Sequence, residues 1–165
     1  MAKSKFEESL ESGVHAKLQT LVGNWEGMTK TWFEPNVLTD EAPMTGNFKS
    51  ILGGRFLLHE YKGSLQGAPF EGIAIYGYDI PNDTFQCIWI DSFHMGTSMM
   101  LSTGKTWDSQ LAVLGSYGGP EMPEPWGWCS VLELQNKDTL ILRAYNISPE
   151  GQEDLGTETI YKRIS

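Results

Sequence analysis

From residue 25 to the C-terminus, the apolar residues of this chain recur at every second position, and the connectors between the alternating runs are short. That combination restricts the fold more than any other feature, because period two is the signature of half-buried strands. The expected strands are 25–34, 45–52, 55–64, 70–79, 85–93, 97–105, 110–117, 126–135, 139–147 and 154–163. Between them stand LQGAP at 65–69, DIPND at 79–83, TWDSQ at 106–110, QNKDT at 135–139 and SPEGQ at 148–152, all with turn chemistry. The exception is GSYGGPEMPEPWGW at 115–128, which reads as a longer, proline-stiffened loop. Strands joined by tight turns are antiparallel neighbours. Ten of them in one meander leave two raw edges unless the sheet closes. The expectation is an all-β, about ten-stranded, up-and-down antiparallel barrel forming a single domain. A two-sheet sandwich would need longer crossovers than these turns permit.

Residues 1–22 follow a different rule. Phe6, Leu10, Val14, Leu18 and Leu21 are spaced by threes and fours, which places them on one helical stripe. Gly13 weakens the middle, and Gly23 stops the helix. The next residues, NWEG, begin the barrel region, 23–165. If Trp25 points inward, Gly27, Thr29, Thr31 and Phe33 follow it, while Glu26, Lys30 and Glu34 meet water. In TETIYKRIS at 157–165, the same logic turns Glu158 and Lys162 outward. Thr157, Thr159, Tyr161 and Arg163 then face inward or lie on the rim. An even number of strands brings the first and last together, so Arg163 can lie across the Trp25 indole as a cation–π lid. Gly23 lets the chain pass close to the ring. The Gly-x-Trp start with a late arginine resembles the calycin barrels, the group of lipocalins and fatty-acid-binding proteins. There the pair closes the barrel bottom. The resemblance implies that structural role for Gly23, Trp25 and Arg163.

The centre of the chain carries a sharper pattern. ILGGRFLLHEYKG at 51–63, PFEGIAIYGYD at 69–79 and WIDSFHMGTSM at 89–99 resemble domain-of-unknown-function family 1579, an uncharacterised and mainly bacterial family. The resemblance rests on Gly53, Gly54, Arg55 and Phe56, then on Phe70, Glu71 and Gly72. It continues through Gly77, Tyr78 and Asp79, through Trp89, Asp91 and Ser92, and ends at Gly96 and Thr97. It covers the chain from about residue 20 onward. It implies a calycin-like barrel and no particular activity.

The formal charge of −9 argues against a nucleic-acid surface and against attraction to anionic lipid. The N-terminus has no apolar core of signal-peptide length, and no run approaches a membrane span. The expected location is the cytoplasm, where Cys87 and Cys129 would be reduced thiols. A homodimer is among the assemblies the sequence allows.

Nineteen aromatic residues (Trp 6, Tyr 6, Phe 7) can line a cavity as well as fill a core. Gln86 sits comfortably in water, which turns the Cys87–Trp89–Asp91 face inward. Asp91 there is either a hydrogen-bonding group in a pocket wall or a buried carboxylate paired with Arg55 or Arg143. Arg143 and Tyr145 share a face and resemble the Arg-x-Tyr pair with which fatty-acid-binding proteins hold a carboxylate. In the run His59–Glu60–Tyr61, either Glu60, with Leu58, or its two neighbours point inward. The three histidines, His15, His59 and His94, lack metal-ligand spacing. A heme barrel would need one axial histidine. His94 is the single appealing candidate, and loop solvation explains it more simply, so no cofactor and no metal are expected. No nucleophile motif is present.

The leading expectation is a barrel that binds a small, largely apolar molecule inside. Arg55, Leu58, Glu60, Tyr76, Trp89, Asp91, Met99, Trp128, Arg143 and Tyr145 are the candidate ligand contacts, with Phe56 among the apolar walls. One alternative is a hydrolase or isomerase using Asp91 or Glu60 as an interior carboxylate. Another is a structural barrel with a filled core, docking through an exposed Trp32 and the 118–126 loop.

Overall fold

The computed structural model describes residues 1–105 and 110–165 and contains a closed antiparallel barrel of ten strands. The strands are β1 (Gly23–Glu34), β2 (Val37–Ile51), β3 (Phe56–Leu65), β4 (Ala68–Asp79) and β5 (Thr84–Asp91). They continue with β6 (Met100–Gly104), β7 (Gln110–Tyr117), β8 (Trp126–Asn136), β9 (Thr139–Ile147) and β10 (Glu153–Arg163). Each pairs with its neighbour in sequence, and β1 pairs with β10 to close the ring. Of the expected TWDSQ turn, 106–109 lie outside the described residues, and Gln110 opens β7.

Two short helices, α1 (Lys5–Ser12) and α2 (Val14–Gln19), precede the barrel. Ser4 caps α1 in a reciprocal box with Glu7, which satisfies free amides at its first turn. Gly13 breaks the stripe between the helices. Leu18 and Leu21 are then delivered, 1% exposed, beneath the barrel. They meet Trp25, Phe48, Leu57, Phe85, Leu111, Leu140 and Tyr161, which fill the lower half. Each such side chain contributes about 1.5–3 kcal/mol on burial.

The seam is built as the period-two reading requires. Trp25 lies opposite Arg163, Gly27 opposite Tyr161 and Thr29 opposite Thr159. The Arg163 guanidinium sits 4.2 Å from the Trp25 ring centroid. It also donates to the carbonyl oxygens of Lys137, Val22 and Thr20, tying the strand end to the chain that leaves α2. The Trp25 indole N–H donates to the Leu21 carbonyl at 3.0 Å.

Two expectations about β1 and β2 change. The alternation holds through Thr31, but bulges beside Trp32 shift the register against β2. Phe33, expected inside, is therefore 58% exposed, while Trp32, expected outside, is half-buried at the upper mouth. The stretch before residue 45 is also strand. β2 starts at Val37 and runs through Pro43, which pairs with Met28. The β2–β3 ladder begins only at Thr45, so one edge of this segment carries no ladder, the setting in which proline is tolerated.

Candidate functional site

Above the packed lower half, the inward side chains stop meeting one another. Two adjoining cavities remain, of about 110 and about 170 Å³. They share Thr31, Trp89, His94, Trp128 and Thr157, so they are lobes of one chamber beneath the upper loops.

The aromatic wall comes from alternation on β5 and β8. Trp89 and Trp128 face each other with ring centroids 5.7 Å apart and planes within 9°. The Trp89 N–H donates to the Tyr61 hydroxyl at 2.6 Å, which fixes both rings across three strands. Burial raises the Tyr61 pKa and keeps the phenol neutral. Deeper in, His59 stacks on Phe48 at 4.0 Å, and its Nε2 lies 3.3 Å from the Tyr161 hydroxyl. His59 is 3% exposed, and burial lowers its pKa to about 3, so it is an uncharged ring at neutral pH. Thr29 and Thr159 share a 2.6 Å hydroxyl contact across the seam. On the far side, the Tyr117 hydroxyl donates to Asn146 at 2.6 Å.

Asp91 ends β5 at the mouth, with its side chain fully buried. One carboxylate oxygen accepts from the backbone amides of Phe93, His94 and Met95, at 3.2, 2.6 and 3.0 Å. The other bonds the His94 Nδ1. Burial pushes this carboxyl up. The His94 bond and the amides of Met95 and Phe93 outweigh burial and hold it below its ordinary value. The turn so formed directs the His94 ring inward, 5.5 Å from Trp89, 6.4 Å from Trp128 and 5.8 Å from Phe70. Segment 92–99 is thus a cover whose inner tip is an imidazole. Asp91 is a saturated anchor, a poor arrangement for a general base, which needs a free lone pair on the reacting group.

The other expected contacts are dispersed. Tyr76 points inward but lies in the lower core, 4% exposed and hydrogen-bonded to Cys87. Burial raises the Cys87 thiol to about 12, so it is no nucleophile. Leu58 and Glu60 are on the outer face, where Glu60 pairs with Lys49 at 2.7 Å, because β3 turns Leu57, His59 and Tyr61 inward. Phe56, on the same face as Leu58, is 36% exposed. Met99 is 75% exposed: β6 begins at Met100, which takes the inward position. Arg55 stays at the lower end, 4.3 Å above the Phe6 ring. Neither Arg55 nor Arg143 reaches Asp91. Arg143 is on the outer face between Glu133 and Glu158, at 3.2 and 2.8 Å, and Tyr145 shares that face. The carboxylate clamp expected of Arg143 and Tyr145 therefore has no place inside. Glu60 and Met99 border an open trough of about 1010 Å³ on the outside, whose polar rim includes the Lys62–Glu71 pair at 3.7 Å. The chamber inside the barrel is the better candidate, since a concave apolar pocket is what small-molecule sites share. Among the described residues no cluster of His, Cys, Asp and Glu could hold a metal.

Sequence reasoning leaves His59 and Tyr61 as one of two inward options and weighs His94 only as a heme ligand, preferring loop solvation, so none of the three is named as a ligand contact. A signal for β3 was present: Glu60 and Lys62 alternate, and two charges on one face mark it as the wet one. Nothing in the sequence showed that His94 points inward, a direction set by its hydrogen bonds to Asp91.

Residues 11–163 match the family described as "Protein of unknown function (DUF1579)". Among solved structures, the chain is similar to the crystal structure of Rv2717c from M. tuberculosis. The identity is 12% and the TM-score 0.61, over 91% of this chain and 96% of that one. It is also similar to the S-type phycobiliprotein lyase CPES from Guillardia theta, at 8% identity and a TM-score of 0.56, over 99% of each chain. No curated protein matches it. At these identities the likeness shows the fold.

Proposed function

The chain belongs to the DUF1579 family, a membership that gives the barrel and leaves the ligand to the site, and from it we propose a binding protein for a small, uncharged, largely apolar molecule. The observation that carries this reading is the chamber wall: two parallel indoles, with hydroxyl groups and the uncharged His59 ring below them and, among the described residues, no arginine or lysine head group directed inside, the Arg143 guanidinium being held outside by Glu133 and Glu158. Such a wall supplies area and ring contacts for an apolar body and hydrogen bonds for one polar substituent. It offers no arginine or lysine to repay desolvation of an anionic ligand, and the one imidazole that reaches it from above is already bonded to the Asp91 carboxylate. A dry cavity of about 150 Å³ holds one benzene ring. The 170 Å³ lobe is therefore of single-ring size, and both lobes fall short of the roughly 300 Å³ where drug-sized pockets begin. No catalytic group is required, and the saturated Asp91 supports binding over hydrolysis or isomerisation. Two free thiols, at Cys87 and Cys129, support a cytoplasmic setting.

Thermal shift and tryptophan emission with indole, p-cresol and benzoate test the reading. The neutral probes should raise the melting temperature and perturb emission from the Trp89–Trp128 pair, and benzoate should do neither. Ala144→Phe, which intrudes on the chamber from β9, should abolish both responses. Silence towards both neutral probes, or an unchanged response in Ala144→Phe, would refute the proposal.

A further inference from the structure

The outside of the barrel is not uniform. On β3 to β6 the register sets Leu58 opposite Ile75, Ile75 opposite Ile88, and Ile88 opposite Leu101, an apolar row across four strands. Ile73 opposite Ile90 makes a second row. Ile88, Ile90 and Leu101 are 43%, 37% and 65% exposed. Met99 beside Ile90, and Leu114 diagonal to Leu101 on β7, are 75% and 52% exposed. Between Glu71 and Asp79 at its two margins, the outward positions of β4 to β7 carry no charged side chain among the described residues. The opposite side of the barrel carries Glu26, Lys30, Arg143, Glu158 and Lys162 at outward positions.

We propose that the β4–β7 face is a homodimer interface, the occupant being a second copy of this chain. Two observations select that occupant. The first is charge. Copies carrying −9 each repel, so they can associate only where carboxylates are withdrawn, and this face is such a place. An anionic membrane is repelled by the same net charge, and a basic partner would find no acidic groups on this face to pair with. The second is area. The five side chains are 37% to 75% exposed, and a cluster of large apolar residues of this kind is on the order of 300–600 Å², the size of the largest patch on a typical monomer. A standard interface buries about 800 Å² per partner, with somewhat more than half of it apolar. The face therefore supplies the apolar core of an interface of that class.

Sedimentation velocity over a micromolar concentration series, with the full chain, reads the outcome. The unaltered protein should sediment as a dimer. Ile88→Lys with Leu101→Lys should weaken association by at least about a hundredfold, the effect of burying charge in an apolar interface. Ile160→Lys, outward on the opposite side and 40% exposed, should leave the dimer intact. If the lysine pair does not fold, Ile88→Thr with Leu101→Thr, which keeps β-branched or strand-compatible side chains, makes the same reading by circular dichroism and sedimentation. A monomer at every concentration overturns the proposal. So does a dimer that survives the folded double variant, or a monomer that floats with zwitterionic phosphatidylcholine vesicles. The ligand proposal stands or falls separately, since Ala144→Phe acts inside the chamber and these variants act outside it.

Discussion

His59 is a basic side chain that the fold refuses to protonate. Burial lowers its pKa from the ordinary 6.5 to about 3, so between those values the unfolded chain binds a proton here that the folded chain does not. Stability is therefore complete above the ordinary imidazole range and declines as pH falls from 6.5 towards 3, with a limiting slope of about 1.4 kcal/mol per pH unit. His15 acts in the same direction, lowered first by burial and then by the nearby Arg55 charge. His59→Phe keeps a ring against Phe48 and should flatten this part of the profile. Urea unfolding at several pH values between 4 and 7 checks the slope, which is independent of any offset from the lost Tyr161 contact. A steep profile unchanged in the variant would contradict this assignment. This residue also shows the limit of reading the sequence. In the run His59–Glu60–Tyr61, two faces were open, and the expectation placed Glu60 inside. The inward face is the one with the aromatic rings, fixed by Phe48 across the strand pair, a partner no local pattern names.

Among the elements, the cover over segment 92–99 depends on one carboxylate. Removing it with Asp91→Ala takes the acceptor from three amides, each costing about 1–3 kcal/mol of local stability when left unpaired. Hydrogen exchange at Phe93, His94 and Met95 should accelerate by roughly ten- to a hundredfold, while the protection of β8 and β9 stays as it was. An unaltered exchange rate at those amides would mean that the loop is held by its rings instead. Strand identity was legible here and strand phase was not. WIDSF and TSMML both alternate, and only the Asp91 turn decides that β6 starts at Met100, which sends Met99 to the surface. Likewise, Pro43 broke the sequence pattern of β2 because the chain does not announce which strand edge lacks a ladder partner.

For the whole molecule, closure is the property that everything else presupposes, and it was the most legible feature. Ten alternating runs with tight turns demand a sheet, an even strand count returns the last strand to the first, and Trp25 with Arg163 marks the join. Gly27 is the weak point of that join, because a Cβ there would overlap the Ile160 carbonyl oxygen on β10. Gly27→Ala should destabilise the protein by about 3 kcal/mol or more, as strain at a close backbone approach does. Denaturant unfolding measures the loss, and faster exchange along residues 157–163 localises it. Equal protection in the variant would show that the seam accommodates the added methyl group without opening. The chamber was less legible than the closure, since its shape depends on His94, Trp89 and Trp128 meeting from β5, β8 and a loop far apart in sequence.

The join between residues 25 and 163 also sets an order of events during synthesis. β1 emerges from the ribosome before the other nine strands, yet its second neighbour, β10, is the last strand of the barrel to be made. Throughout translation the growing sheet carries an unsatisfied border along β1 and another along its newest strand, which are templates for wrong partners. Only completion of β10 lets the two borders meet, so the growing barrel passes its most vulnerable moment immediately before it becomes a ring.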